Sequence, residues 1–334
     1  MRIKTNFKIL GAWQAKPFRR NGTTGKLPPM KILVTGSSGT IGTRLCEKLL
    51  ADGHTVMGAD WLPCQWKPEV EALRINIDLR HKEEFGVLPT DVDLIIHLAA
   101  NARVYELVEN PDRAMDNFID TFNILEFARK NGIKRMMFAS SRETYGNIHL
   151  PEGQKYSEDK AHFMACESPY TASKIGGEAL FEAYKRCYGI ETIIWRFSNV
   201  YGMYDNSIRV VPLYFRLAKT NGLMKVFGKD KCLDFTYIDD CVAGIALGVE
   251  KWDTAKNDTY NLAYGEGTTI LHLAERMKEL LGSTSELEIG PARTGEVTHY
   301  IADISKAQRV LGYSPKTPFD RGIEMAVEWY KANT

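Results

Sequence analysis

From Met30 to about residue 200, short apolar runs alternate with segments whose apolar residues recur at helical spacing. The runs at 32–34, 53–60, 72–75, 93–100, 134–141 and 190–197 read as strands, and their continuous rather than alternating apolar character fits burial on both faces. Between them, 44–50, 111–131 and 168–188 carry helical periodicity. Gly132 stops the second of these helices, and Ser168-Pro169 opens the third with a cap residue and a proline at the first helical position. Strand and helix in alternation predict an α/β fold, a doubly wound parallel sheet covered by helices. Beyond 200 the alternation loosens. A helix near 208–221, a strand at 225–228, a strand-to-helix passage at 235–240, a strand at 260–263 returning to the sheet, and helices at 270–281 and 319–331 suggest a smaller C-terminal lobe interleaved with the sheet. The expected division is 30–200 with 234–266 for the sheet domain, and 201–233 with 267–334 for the substrate-binding lobe.

Two stretches depart from this rhythm. A polar, charged loop after Gly146, containing Pro151 and Gly153, is long enough for a lid or insertion. Residues 1–29 contain seven Lys or Arg and no acid. That composition suits a targeting segment, but Met30 opens the first strand directly, so an extension ahead of the folded chain is the preferred reading.

Composition narrows the class. The 334 residues carry a net charge of +1, which gives no reason to expect nucleic acid or an anionic membrane as partner. No apolar run approaches the roughly 18 residues of a membrane span. Six scattered cysteines without C-x-x-C spacing fit reduced thiols and a cytoplasmic setting, and the seven histidines include no H-E-x-x-H, so no metal is assigned.

The first strand runs into Gly36-Ser37-Ser38-Gly39-Thr40-Ile41-Gly42 and then a helix. Free N–H groups at a helix N-terminus, approached closely because glycine lacks Cβ, form an anion site suited to a pyrophosphate. The second strand ends at Asp60, where a ribose-binding acid is expected about 20 residues on. A carboxylate there accepts from both ribose hydroxyls and repels a 2′-phosphate, which favours NAD over NADP. A Rossmann-type dinucleotide site follows. The small Ala99-Ala100 pair leaves room for a ligand at the carboxyl edge of the sheet.

Tyr170 and Lys174 lie four apart on one helix face. A free phenol titrates near 10 and is a poor base at neutral pH. A neighbouring ammonium, and the positive nicotinamide ring, would lower it and make Tyr170 a usable general base. Ser141, ending the fifth strand, can orient the same substrate hydroxyl.

These motifs together resemble the extended short-chain dehydrogenase/reductases, in the NAD-dependent nucleotide-sugar epimerase and dehydratase branch typified by UDP-glucose 4-epimerase. The resemblance rests on the glycine turn, Asp60, Asp78-Leu79, His97-Leu98-Ala99-Ala100, Ser140-Ser141 with Tyr145-Gly146, and Tyr170 with Lys174. Arg196 to Gly202, Asp234 to Asp240 and Ala302 to Ala307 extend it. It implies a triad of Ser141, Tyr170 and Lys174, with Asn117 as a supporting polar group. It also implies an NAD site of Gly36, Gly39, Thr40, Ile41, Gly42, Asp60, Asp78, Leu79, Leu98, Ala99, Ala100, Tyr170 and Lys174. Asn199 and Arg293 match positions that hold the nucleotide diphosphate of a nucleotide-sugar substrate. Leu233 stands where the branch often has Arg, and Lys231 or Arg209 is the candidate replacement. The family further implies a homodimer, built by pairing the 111–131 and 169–188 helices.

Ser141-Arg142-Glu143 bears on the reaction. Dehydratases of this branch carry an acid after the hydroxyl residue, then Glu. Arg142 cannot donate a proton at neutral pH, so elimination by that route is disfavoured. Glu143 keeps a uronic acid decarboxylase in view, unless it merely pairs with Arg142. The expectation is a 4-epimerase acting on a UDP-sugar, with decarboxylase, dehydratase, 4-reductase and a non-catalytic NAD-binding regulator as alternatives.

Overall fold

The computed structural model describes residues 28–334; most of the stretch expected as an extension lies outside the described residues. The first half runs β1 (Lys31–Thr35), α1 (Thr40–Ala51), β2 (Thr55–Asp60), α2 (Pro68–Glu71), β3 (Arg74–Asn76), β4 (Leu94–His97), α3 (Val104–Glu109), α4 (Asp112–Lys130), β5 (Arg135–Ser141), α5 (Pro169–Tyr188) and β6 (Glu191–Phe197). The second adds β7 (Asn199–Tyr201), α6 (Val210–Lys219), β8 (Met224–Phe227), β9 (Cys232–Tyr237), α7 (Ile238–Glu250), α8 (Trp252–Ala255), β10 (Asp258–Leu262), β11 (Gly267–Thr269), α9 (Ile270–Leu281), β12 (Leu287–Gly290), β13 (His299–Tyr300), α10 (Ser305–Leu311) and α11 (Phe319–Asn333).

Seven strands form one sheet in the order β10-β6-β5-β4-β1-β2-β3, and every pairing in it is parallel. Successive residues feed opposite faces. Ile32, Val34, Ile96 and Met137 join one core with Leu45 and Leu49 of α1 and Val242 and Ile245 of α7. Leu33, Ile95, Met136 and Phe138 join the other with Ile124, Leu125 and Ala128 of α4 and Phe181 of α5. Each such Val, Leu, Ile, Met or Phe side chain, fully buried, contributes roughly 1.5–3 kcal/mol, and the double covering explains why the strands read as unbroken apolar runs. The chain reverses direction across the sheet between β1 and β4, the switch point where open α/β sheets bind ligands.

The division at 200 and 234 does not follow the sheets. β10 returns to the main sheet as the spacing predicted, pairing with β6. But β7 straddles the boundary at 200 and β9 the one at 234; they pair with each other, and β9 also pairs with β11 and β13 in a second sheet. The strand expected over 93–100 stops at His97, beyond which Leu98 and Ala100 line the cleft at the switch point. The polar loop after Gly146 contains only short turns, at 158–160 and 163–165. No helix among the described residues is long and apolar enough to cross a membrane.

Candidate active site

The glycine turn forms the floor of one end of a cleft of about 670 Å³. Gly36 takes φ +71°, and a Cβ there would lie 2.7 Å from the Ala99 backbone nitrogen. A Cβ on Gly42 would stand 2.0 Å from the Gly36 carbonyl oxygen, so the turn closes onto α1 only without side chains. Asp60 is tied to the turn: its carboxylate accepts from Ser38 N at 3.0 Å and Leu62 N at 2.9 Å. Burial raises its pKa, opposed by those two N–H groups. The Ser38 hydroxyl, buried in the turn, has no hydrogen-bond partner among the described residues. A narrow glycine cradle, an unused hydroxyl and an adjacent carboxylate fit the diphosphate and ribose of a dinucleotide.

Gly36, Gly39, Thr40, Ile41, Gly42, Leu98, Ala100, Tyr170 and Lys174 line this one cleft. Ala99 backs Gly36 instead. Asp78 is ion-paired with Arg80 at 2.5 Å, which holds its carboxyl below the usual range. The Leu79 side chain is buried in the core, so only its backbone is available to a ligand.

Ser141, Tyr170 and Lys174 come together because β5 ends where the first turn of α5 begins. Ser168 caps that helix by accepting from Thr171 N at 3.2 Å, with Pro169 at the first helical position. All three side chains are buried. The Lys174 ammonium donates to the Ala139 carbonyl at 2.8 Å and lies 5.8 Å from the centre of the Tyr170 ring. Burial lowers Lys174 to about 8, opposed by Asp120 and Glu178. Burial likewise raises the Tyr170 phenol, opposed by the Ser141 hydroxyl and then by Arg209 and Arg142. Lys174 is not among the main influences on the Tyr170 phenol in the protein chain by itself, where the ammonium serves a backbone carbonyl.

Asn117 stands outside the cleft. Its side chain accepts from Asn101 N at 2.6 Å and donates to Asn101 O at 3.0 Å and Ser173 Oγ at 3.2 Å. It clamps the loop after β4 to α5, at the residue next to Lys174.

The far end of the cleft is cationic. Asn199, Arg209 and Arg293 all reach it, and Asn199 also donates to the Asp234 carbonyl at 2.8 Å. The Arg293 guanidinium lies 4.0 Å from the Phe227 ring centre and 4.9 Å from that of Tyr105. Cation–π contact with both rings holds the guanidinium, whose donor fork suits an anion. Neither ring was legible as a site residue, since each comes from a separate short element. Lys231 sits in the cleft paired with Glu296 at 2.7 Å. It supplies a cation near Leu233, but one already partnered. Glu143 is buried in the same cleft and paired with Arg142 at 2.8 Å. Burial pushes its carboxyl up.

Residues 32–263 match the model of the NAD dependent epimerase/dehydratase family. The chain belongs to this family. It is similar to the solved UDP-glucose 4-epimerase of Thermotoga maritima in complex with UDP-glucose, at 30% identity and a TM-score of 0.80, covering 91% of this chain and 99% of that one. A Streptomyces venezuelae dTDP-glucose 4,6-dehydratase with NAD bound aligns at 27% identity and a TM-score of 0.83, over 91% and 98% of the two chains. UDP-glucuronic acid decarboxylase 1 of Danio rerio is 30% identical, over 92% of this chain and 76% of its own length. The family cofactor is NAD, and the glycine cradle and Asp60 of this chain suit it. The family identifies an NAD-dependent enzyme of sugar-nucleotide chemistry, within which several reactions occur.

Proposed function

We propose that the protein is a 4-epimerase of a UDP-linked sugar. The observation that carries this reading is the composition of the cleft beside the triad. Arg142, which has no proton to give, follows Ser141 and is ion-paired with Glu143. The acid needed to expel a hydroxyl in dehydration is missing at that point, while the groups needed for oxidation at C4 are all present. Bound NAD supplies a reversible hydride acceptor. Tyr170 takes the proton of the sugar 4-hydroxyl and Ser141 holds that oxygen by a hydrogen bond. Arg209 and Arg293 hold the diphosphate while the 4-keto sugar turns about its phosphate linkage. Tyr170 then returns the proton to the 4-oxygen of the inverted centre.

Glu143 favours one second reading, decarboxylation of a nucleotide-linked uronic acid. The test is incubation with UDP-, GDP- and dTDP-sugars followed by NMR. Interconversion at C4 without added cofactor is expected, and Tyr170→Phe should slow it by about 10²- to 10⁴-fold. Release of CO₂, or formation of a 4-keto-6-deoxy sugar, would refute epimerisation.

The working unit in this reading is a homodimer. Met115, Phe118 and Phe122 of α4 are exposed at 60%, 36% and 39%. Their spacing of three and four residues puts them on one side of the helix. Phe118 lies over Gly176 of α5, where a Cβ would come within 2.9 Å of the ring. An apolar face spanning α4 and α5 suits burial against its own copy.

A further inference from the structure

Between β7 and α6 the chain forms a short strap, residues 202–209, that ends at Arg209. Two of its residues take positive φ, Gly202 at +140° and Tyr204 at +64°. Glycine adopts such values freely, but a tyrosine there is strained and stays so only where its surroundings over-determine it. Two restraints act on Tyr204. The hydroxyl of Thr40, the first residue of α1, donates to the Tyr204 carbonyl at 3.0 Å. The Tyr204 ring, itself buried, lies against Trp329 of α11 and Trp66 of the loop after β2, with ring centres 5.5 and 6.3 Å away. From that fixed point little freedom remains. The carboxylate of buried Asp205 accepts from Ser207 N at 3.0 Å, and the Ser207 hydroxyl accepts from Arg209 N at 3.1 Å. Arg216 of α6 donates to the carbonyls of Asn206 at 3.2 Å and Ser207 at 2.6 Å. Arg209 caps α6 and lines the cleft, close enough to Tyr170 for its charge to bear on the phenol. Thr40 lines the same cleft at its cofactor end.

We propose that Thr40 is a positioning residue for the substrate: from the cofactor turn, its hydroxyl fixes the strap that places Arg209 on the nucleotide diphosphate. This rests on the reading of Arg209 as a diphosphate contact given above. The part of Thr40 that the strap uses is the donor, not the bulk of the side chain. Without it the carbonyl of an already strained residue loses its partner, and the balance holding Tyr204 at positive φ shifts toward ordinary backbone values. Arg209 lies five residues on, linked through Asp205 and Ser207, so a change of φ at Tyr204 swings the guanidinium away from a fixed anion. The bond from Thr40 thus joins the cofactor end of the cleft to the substrate end.

The experiment measures binding of UDP by calorimetry, to the full chain in saturating NAD, so neither turnover nor cofactor loss enters. Thr40→Val keeps the shape and removes the donor, and should bind UDP about 3- to 10-fold more weakly than the unaltered protein. Thr40→Ser keeps the donor and should bind it as the unaltered protein does. Arg209→Met should itself weaken UDP, and adding Thr40→Val to it should change binding by less than about 2-fold, the coupling expected if Thr40 acts through Arg209. An equal loss with and without Arg209 would show a general loosening of the cleft and overturn the proposal. Undiminished binding by Thr40→Val, or a loss in Thr40→Ser as large as in Thr40→Val, would overturn it as well. If UDP does not bind the unaltered protein, the UDP-sugar reading falls together with this one. If UDP binds and the coupling is absent, only the role given to Thr40 falls.

Discussion

At the residue scale the cleft depends on burial acting in opposite senses on two partners. The same desolvation that raises the Tyr170 phenol lowers the Lys174 ammonium to about 8. Lys174 is therefore charged below about pH 8 and loses its proton above it. The ammonium lies 5.8 Å from the Tyr170 ring centre, so in the proposed reaction with cofactor and substrate in place its charge is expected to steady the phenolate, and activity to fall on the alkaline side of about 8, read from a pH–rate profile. Lys174→Met should remove that alkaline limb as well as most of the activity. A profile that stays flat through pH 9.5 would sever the link between this ammonium and the reaction.

At the scale of elements, α4 and α5 serve two surfaces. Their inner faces cover the sheet through Ile124, Leu125 and Phe181, and α5 delivers Tyr170 and Lys174 to the end of β5. The outer face of α4 carries the apolar residues assigned to the dimer. Phe118→Asp with Phe122→Asp should yield a monomer in sedimentation velocity, with an unchanged far-ultraviolet spectrum because both rings are more than one-third exposed. The unaltered protein running as a monomer at micromolar concentration would dispose of the dimer. Short elements matter as much as long ones here: α3 and β8 each supply one ring around Arg293.

At the scale of the whole molecule, Asp234 of β9 ties the second sheet to the segments that follow β10 and β13. Its carboxylate accepts from the N–H groups of Tyr264 at 3.0 Å, Gly265 at 2.8 Å and Ala302 at 3.3 Å. Asp234→Ala strands all three and should cost about 3 kcal/mol in urea unfolding. Burial raises this carboxyl to about 6, above its ordinary 3.8, so between those values the folded chain binds the proton more tightly. The group therefore adds stability as pH falls through about 6, and that stability is lost as pH rises through it. The unaltered protein should show this gain between pH 7 and 5, and Asp234→Ala should lack it. Local pattern in the sequence was enough for the seven-stranded sheet and the glycine turn with Asp60, which depend on periodicity and a glycine requirement written in neighbouring positions. The expectation that Ser141 gathers with Tyr170 and Lys174 came from the family resemblance, since these residues are far apart in the chain. Only the tertiary structure decided that β7 and β9 leave the main sheet for a second one. It also made Asn117 a loop clamp, turned Lys174 toward a backbone carbonyl, and set Arg293 against Tyr105 and Phe227. These outcomes join separate elements through packing and desolvation, which no local spacing encodes.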